Sequence, residues 1–158
     1  MTPVAATAEV LAYKILKRHN EEGWVKWAYD MLLAGYETEN LLILAGVRGM
    51  LDYFEMWTLT DKVLEELEID YSDQDQVING YVSYLAQRVL SGQEKPSAAL
   101  YTLMSMYLDL DYTSLLSDSF DLYYAWKDLQ YGEHQWYVLG VDRSNIDQKI
   151  TDYFKERV

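Results

Sequence analysis

The side chains able to titrate near neutral pH without perturbation are His19 and His134, and neither stands in a nucleophile motif. His19 follows Lys17 and Arg18 at the end of a helical stretch, where a cation complements the helix dipole. His134 lies in Gly132-Glu133-His134-Gln135, next to Trp136, in a loop-like segment. The chain has no cysteine, which excludes thiolate catalysis, iron–sulfur ligation and cysteine zinc sites. It also lacks a glycine-rich phosphate loop and a Gly-x-Ser-x-Gly elbow. Carboxylate metal sites fail on spacing. Neither Asp70–Gln76 nor Asp109–Asp118 supplies the glycine and closing glutamate of a calcium loop, and Leu16 and Tyr131 occupy the positions three before the histidines, where a di-iron bundle needs glutamate. The expectation is a protein without metal, cofactor or catalytic residues, and so not an enzyme.

What remains is carboxylates and rings. The net charge is −13 over 158 residues, and the chain carries 15 Tyr and 5 Trp. Carboxylates steer a basic protein into encounter and amphipathic rings supply contact energy, so the composition points to a basic protein partner. The same charge opposes the phosphate backbone of nucleic acid and anionic membranes. The densest acidic stretch holds Asp52, Glu55, Asp61, Glu65, Glu66, Glu68, Asp70, Asp73 and Asp75, opposed in sequence by Lys62 alone. A solvated face with helix-dipole capping by Asp70, Asp73 and Asp75 is one explanation; a docking surface for a cationic partner is the other.

A second cluster mixes rings and acids: Tyr107, Asp109, Asp111, Tyr112, Asp118, Phe120, Asp121, Tyr123, Tyr124, Trp126 and Asp128. At helical spacing such rings pack a core, and beside aspartates they also engage Lys and Arg through cation–π contacts. The candidate partner-binding residues are Glu65, Glu66, Asp70, Asp73, Asp109, Asp111, Tyr112, Asp118, Asp121, Tyr123 and Trp126.

These residues need a scaffold, and apolar positions recur at helical spacing almost throughout. The expected fold is all-α: about eight helices in stacked antiparallel hairpins, forming a single helical domain over residues 1–158. Thr2 and Pro3 read as N-cap and N1 of a first helix whose face is Val4, Ala8, Leu11 and Ile15. Thr38 caps a short third helix, apolar all round at Leu41-Leu42-Ile43-Leu44-Ala45 and therefore expected at the centre. Ser72 with Asp75, and Ser144 with Asp147, resemble capping boxes opening a fifth helix and a terminal one. Residues 130–141 read as a loop or a short extended stretch. The longest apolar run, Leu41–Val47, is far shorter than the roughly 20 residues of a membrane span. Met1–Tyr13 has no basic leader pattern and contains Glu9, so a cytoplasmic protein is expected.

Leu41–Gly46, the spacing Ala86-x-x-Val89-Leu90-x-Gly92-x-x-x-Pro96-x-x-Ala99-Leu100, and the acidic aromatic segment through Asp128-Leu129 resemble a group of small, uncharacterised bacterial helical proteins. The resemblance implies a bacterial cytosolic protein with an all-α fold and supplies no catalytic residues. The functional expectation is an acidic binding protein, foremost an immunity protein that neutralises a basic toxin such as a nuclease by filling its active cleft. The alternatives are an adaptor or scaffold for another basic partner, or an enzyme whose site has no motif.

Overall fold

The computed structural model describes residues 1–49 and 51–158. All regular structure among them is helical: α1 (Thr7–Leu16), α2 (Glu21–Leu33), α3 (Glu39–Ala45), α4 (Tyr53–Glu66), α5 (Gln74–Leu90), α6 (Pro96–Asp109), α7 (Ser117–Tyr131) and α8 (Ile146–Lys155). A single 3-10 turn, Ser114–Leu116, precedes α7. The all-α expectation holds. Among the described residues no helix is long and apolar enough to cross a membrane. The chain gathers into two compact units, Met1–Val77 and Ile78–Val158, with α5 running through the division.

In the first unit, side-chain caps set the helix starts. Asn20 accepts from the Gly23 N–H at 3.1 Å, Thr38 from Leu41 at 3.4 Å and Asp52 from Glu55 at 2.7 Å, each satisfying an N–H that the helix leaves unpaired. The core joins Val10 of α1, Trp24, Trp27, Ala28 and Met31 of α2, Leu41 and Leu44 of α3, and Met56, Val63 and Leu64 of α4.

Two expectations fail in this unit. Helix α1 starts at Thr7, not at Thr2 and Pro3, which stay exposed and have no face to bury. Its buried stripe is Thr7, Val10 and Lys14, with Ala12 buried beside it, while Val4, Ala8, Leu11 and Ile15 are half-buried. The polar members of that stripe are satisfied: the Trp27 indole N–H donates to the Thr7 hydroxyl at 2.9 Å, and Lys14 is paired as described below. The second failure is α3, where Leu42 and Ile43 are 49% and 51% exposed. A two-turn helix meets α2 and α4 through Leu41 and Leu44, three apart on one face, and its other face is left to solvent.

In the second unit, α6 and α7 pack along each other extensively. Tyr107 meets Phe120 at 4.8 Å between ring centres and Tyr101 meets Tyr123 at 5.6 Å, so moving back along α6 means moving forward along α7. This is one antiparallel hairpin. Leu100, Leu103 and Met106 of α6, Leu122, Ala125 and Leu129 of α7, and Ile146, Ile150 and Phe154 of α8 are buried in this unit.

Neither expected serine cap forms. Asp73, not Ser72, accepts from the Gln76 N–H at the start of α5, at 3.2 Å. Ser72 instead gives its N–H and hydroxyl to Asp70, at 2.9 and 2.6 Å. Ser144 does the same with Asp142, through its N–H at 2.8 Å and its hydroxyl. Both sites read Asp-x-Ser, and an aspartate two residues ahead captures the serine before it can turn to the helix.

Candidate functional site

The acidic stretch in the first unit builds a groove of about 380 Å³ where α4 ends and the chain turns through Glu68, whose φ is +57°, toward Tyr71. Glu65, Glu68 and Asp70 stand on its rim and Asp61 lines it. Asp61 is already engaged: it accepts from the Tyr71 hydroxyl at 2.9 Å and pairs with the Lys14 ammonium at 3.0 Å. The Lys14 side chain is wholly buried while that of Asp61 is 38% exposed. The ammonium also donates to the Trp57 carbonyl at 3.0 Å and lies 3.8 Å above the Trp57 ring and 4.7 Å from that of Trp24. Burial pulls the Lys14 pKa down, against the pull of Asp61.

The same network fixes an alkaline limb of stability. Burial, then the Asp61 hydrogen bond and charge, push the Tyr71 phenol from 10.0 to about 12, so above pH 10 the folded chain holds a proton that the unfolded chain has released. The stabilisation Tyr71 gives is full below pH 10 and is lost as pH rises toward 12. Lys14, lowered from 10.5, acts in the opposite sense, adding stability as pH rises through the range below that value. Tyr71→Phe is therefore expected to flatten the fall of the thermal midpoint between pH 10 and 12, measured by circular dichroism. An unchanged slope would show that Tyr71 does not carry it.

The second unit holds an acidic groove of about 400 Å³ between α7 and α8. Asp118 and Asp121 of α7 face Asp152 of α8 and Glu156 just beyond it, and the cations lining the same groove are Lys149 and Arg157. Arg157 is stretched between two carboxylates, 3.7 Å from Asp118 and 3.7 Å from Glu156, while its guanidinium stacks 3.7 Å over the Tyr153 ring. Partial burial, then the charge of Asp118, raise the pKa of Asp121. Two neighbouring carboxylates here repel each other in a partly dried setting, a repulsion that an arriving cation would relieve.

One wall of this groove is the turn Tyr137-Val138-Leu139. It is held from within by Gln135, a buried amide. The Gln135 side chain donates to the carbonyls of Val138 at 2.5 Å and Val141 at 2.9 Å, and accepts the N–H groups of Tyr137 at 2.8 Å and Val138 at 2.9 Å. Asn145 donates to the Gly140 carbonyl at 2.9 Å, where Gly140 takes the left-handed φ of +77° that suits glycine. Of the segment expected as a loop or a short extended stretch, Gln130 and Tyr131 close α7 and the rest is a loop with a fixed shape.

The candidate residues divide as follows. Glu65 and Asp70 share the first groove, and Asp118 and Asp121 share the second. Glu66 accepts the Asn40 N–H at 3.1 Å in the first turn of α3, and Asp73 caps α5. Asp109, Asp111 and Tyr112 are exposed around the end of α6, where Asp111 and Tyr112 both take positive φ. Tyr123 and Trp126 are half-buried, 6.0 Å apart, in a run of ring contacts linking Tyr112, Tyr107, Phe120, Tyr124 and Tyr137. Reasoning from sequence missed Lys14, Gln135, Leu139, Asp152 and Glu156. The signal for the last two was the i, i+4 spacing of Asp152 in the terminal helix and Glu156 just beyond it.

No family model, curated protein or solved structure matches the chain.

Proposed function

We propose that this chain is an acidic binding protein without catalytic chemistry of its own, and that its partner is a basic protein. In the finer form of the proposal the partner is a toxin acting on nucleic acid, a nuclease for example, and the chain is its immunity protein in the bacterial cytosol. A nucleic-acid enzyme presents a positive cleft, and an acidic protein can fill it with fast, salt-sensitive association. The observation that supports this most is the groove in the second unit, where Asp118, Asp121, Asp152 and Glu156 outnumber Lys149 and Arg157 and two carboxylates crowd each other. Such a site gains when a Lys or Arg enters it.

The test is affinity capture from the native host, followed by stopped-flow association with the captured protein. A partner of net positive charge is expected, with an association rate that falls roughly tenfold or more between low salt and about 0.3 M salt. Reversing Asp118 and Asp121 to Lys should slow association and weaken that salt dependence. A neutral or acidic partner, or a rate indifferent to salt and to the reversals, would overturn the proposal.

A further inference from the structure

We infer that the turn Trp136–Gly140 is the anchor of the docking surface, inserting Trp136 and Leu139 into an apolar cleft of the basic partner, between Lys and Arg side chains that meet the groove carboxylates. The inference rests on the proposed function and assigns it a contact that the charge pattern alone does not show. Trp136 is 89% exposed and Leu139 is fully exposed, yet the backbone carrying them is the part of the loop that Gln135 and Asn145 tie down. Large apolar groups held out in water on an ordered turn have lost their backbone freedom already, so little more is lost when a partner covers them.

Their neighbours name the kind of partner. Leu139 lines the acidic groove and, with Trp136, a second hollow of about 490 Å³. An apolar tip flanked by Asp118, Asp121 and Asp152 has the make-up of an interface hot spot with a charged rim. A second copy of this chain is a poor occupant, because it would bring a net charge of −13 and the same carboxylates against these. An anionic bilayer is opposed by the same sign. A basic protein surface satisfies both the tip and the rim.

The experiment follows the amide and indole resonances of the ¹⁵N-labelled full chain on titration with two synthetic peptides, one alternating Arg and Leu and one of Arg alone, at about 0.15 M salt. Trp136→Phe identifies the Trp136 indole signal. The Arg/Leu peptide is expected to shift that indole and the Leu139 amide together with Asp118 and Asp121, and to bind the Trp136→Ala/Leu139→Ser variant roughly tenfold more weakly or worse. The Arg peptide should bind both proteins alike. Both side chains are exposed, so the variant's thermal midpoint should match that of the parent.

If the Arg/Leu peptide shifts only the carboxylate residues and the variant binds it equally, the anchor is wrong and the basic-partner reading stands. If neither peptide shifts any resonance even at low salt, both fail. Trp136-dependent dimerisation in sedimentation, or a Trp136-dependent fluorescence change with phosphatidylcholine vesicles but not with the peptide, would assign the tip to another occupant and overturn the inference.

Discussion

Asp61→Ala is expected to destabilise the protein by about 3 kcal/mol or more, although the Asp61 side chain is 38% exposed and an ordinary surface carboxylate would cost far less. The asymmetry of the pair is the reason. Lys14 is wholly buried, and without Asp61 its ammonium keeps one carbonyl and two ring faces as partners in a dry site. Shedding the proton limits the cost, since burial already lowers the Lys14 pKa. The Tyr71 hydroxyl loses its acceptor in the same stroke. Lys14→Met removes the charge that needs a partner and leaves Asp61 able to reach water, so its cost should be about 1 kcal/mol. In urea denaturation the Lys14→Met/Asp61→Ala double variant should be no less stable than Asp61→Ala alone. Additive losses would mean that the pair is not coupled and that Lys14 is held by its ring contacts instead.

How far the sequence was legible follows from the same residues. Periodicity and punctuation located helix ends such as those at Thr38, Gly92 and Pro96, which act through local geometry that needs no knowledge of packing, whereas the Asn20 cap of α2 emerged only in the structure. The buried face of α1 was not legible. Its stripe runs through Thr7 and Lys14, residues that pattern reading assigns to solvent, and their partners Trp27, Trp57 and Asp61 lie 20 to 47 positions away in sequence and become neighbours only in the fold. Net charge forecast acidic surfaces but could not divide them. Glu66 and Asp73 turned out to be occupied with helix starts, whereas Asp152 and Glu156 join Asp118 and Asp121 only because α8 packs on α7. The serine caps show the limit of local rules themselves, since Ser72 and Ser144 each had two competing local partners and the aspartate two residues before won.

The clamp in the second unit carries the last prediction. Gln135→Ala should leave the N–H groups of Tyr137 and Val138 and the carbonyls of Val138 and Val141 without their present partners, and water can replace these only if the turn opens. The opening free energy of residues 135–141 should fall by about 2 kcal/mol, read as a roughly thirtyfold faster amide hydrogen exchange at Tyr137 and Val138. The helices of the unit should exchange as before, because Leu122, Leu129, Ile146 and Phe154 bury their faces without Gln135 contributing to that stripe. Gln135→Glu tests the donor half of the clamp: an ionised carboxylate still accepts both N–H groups but turns an oxygen toward the Val138 and Val141 carbonyls in a buried site, so its exchange should be at least as fast as that of the alanine variant. Exchange unchanged in Gln135→Ala would place the order of this turn elsewhere, with Asn145 and the α7–α8 packing. The preorganisation that makes Trp136 and Leu139 an effective anchor would then not depend on the buried amide.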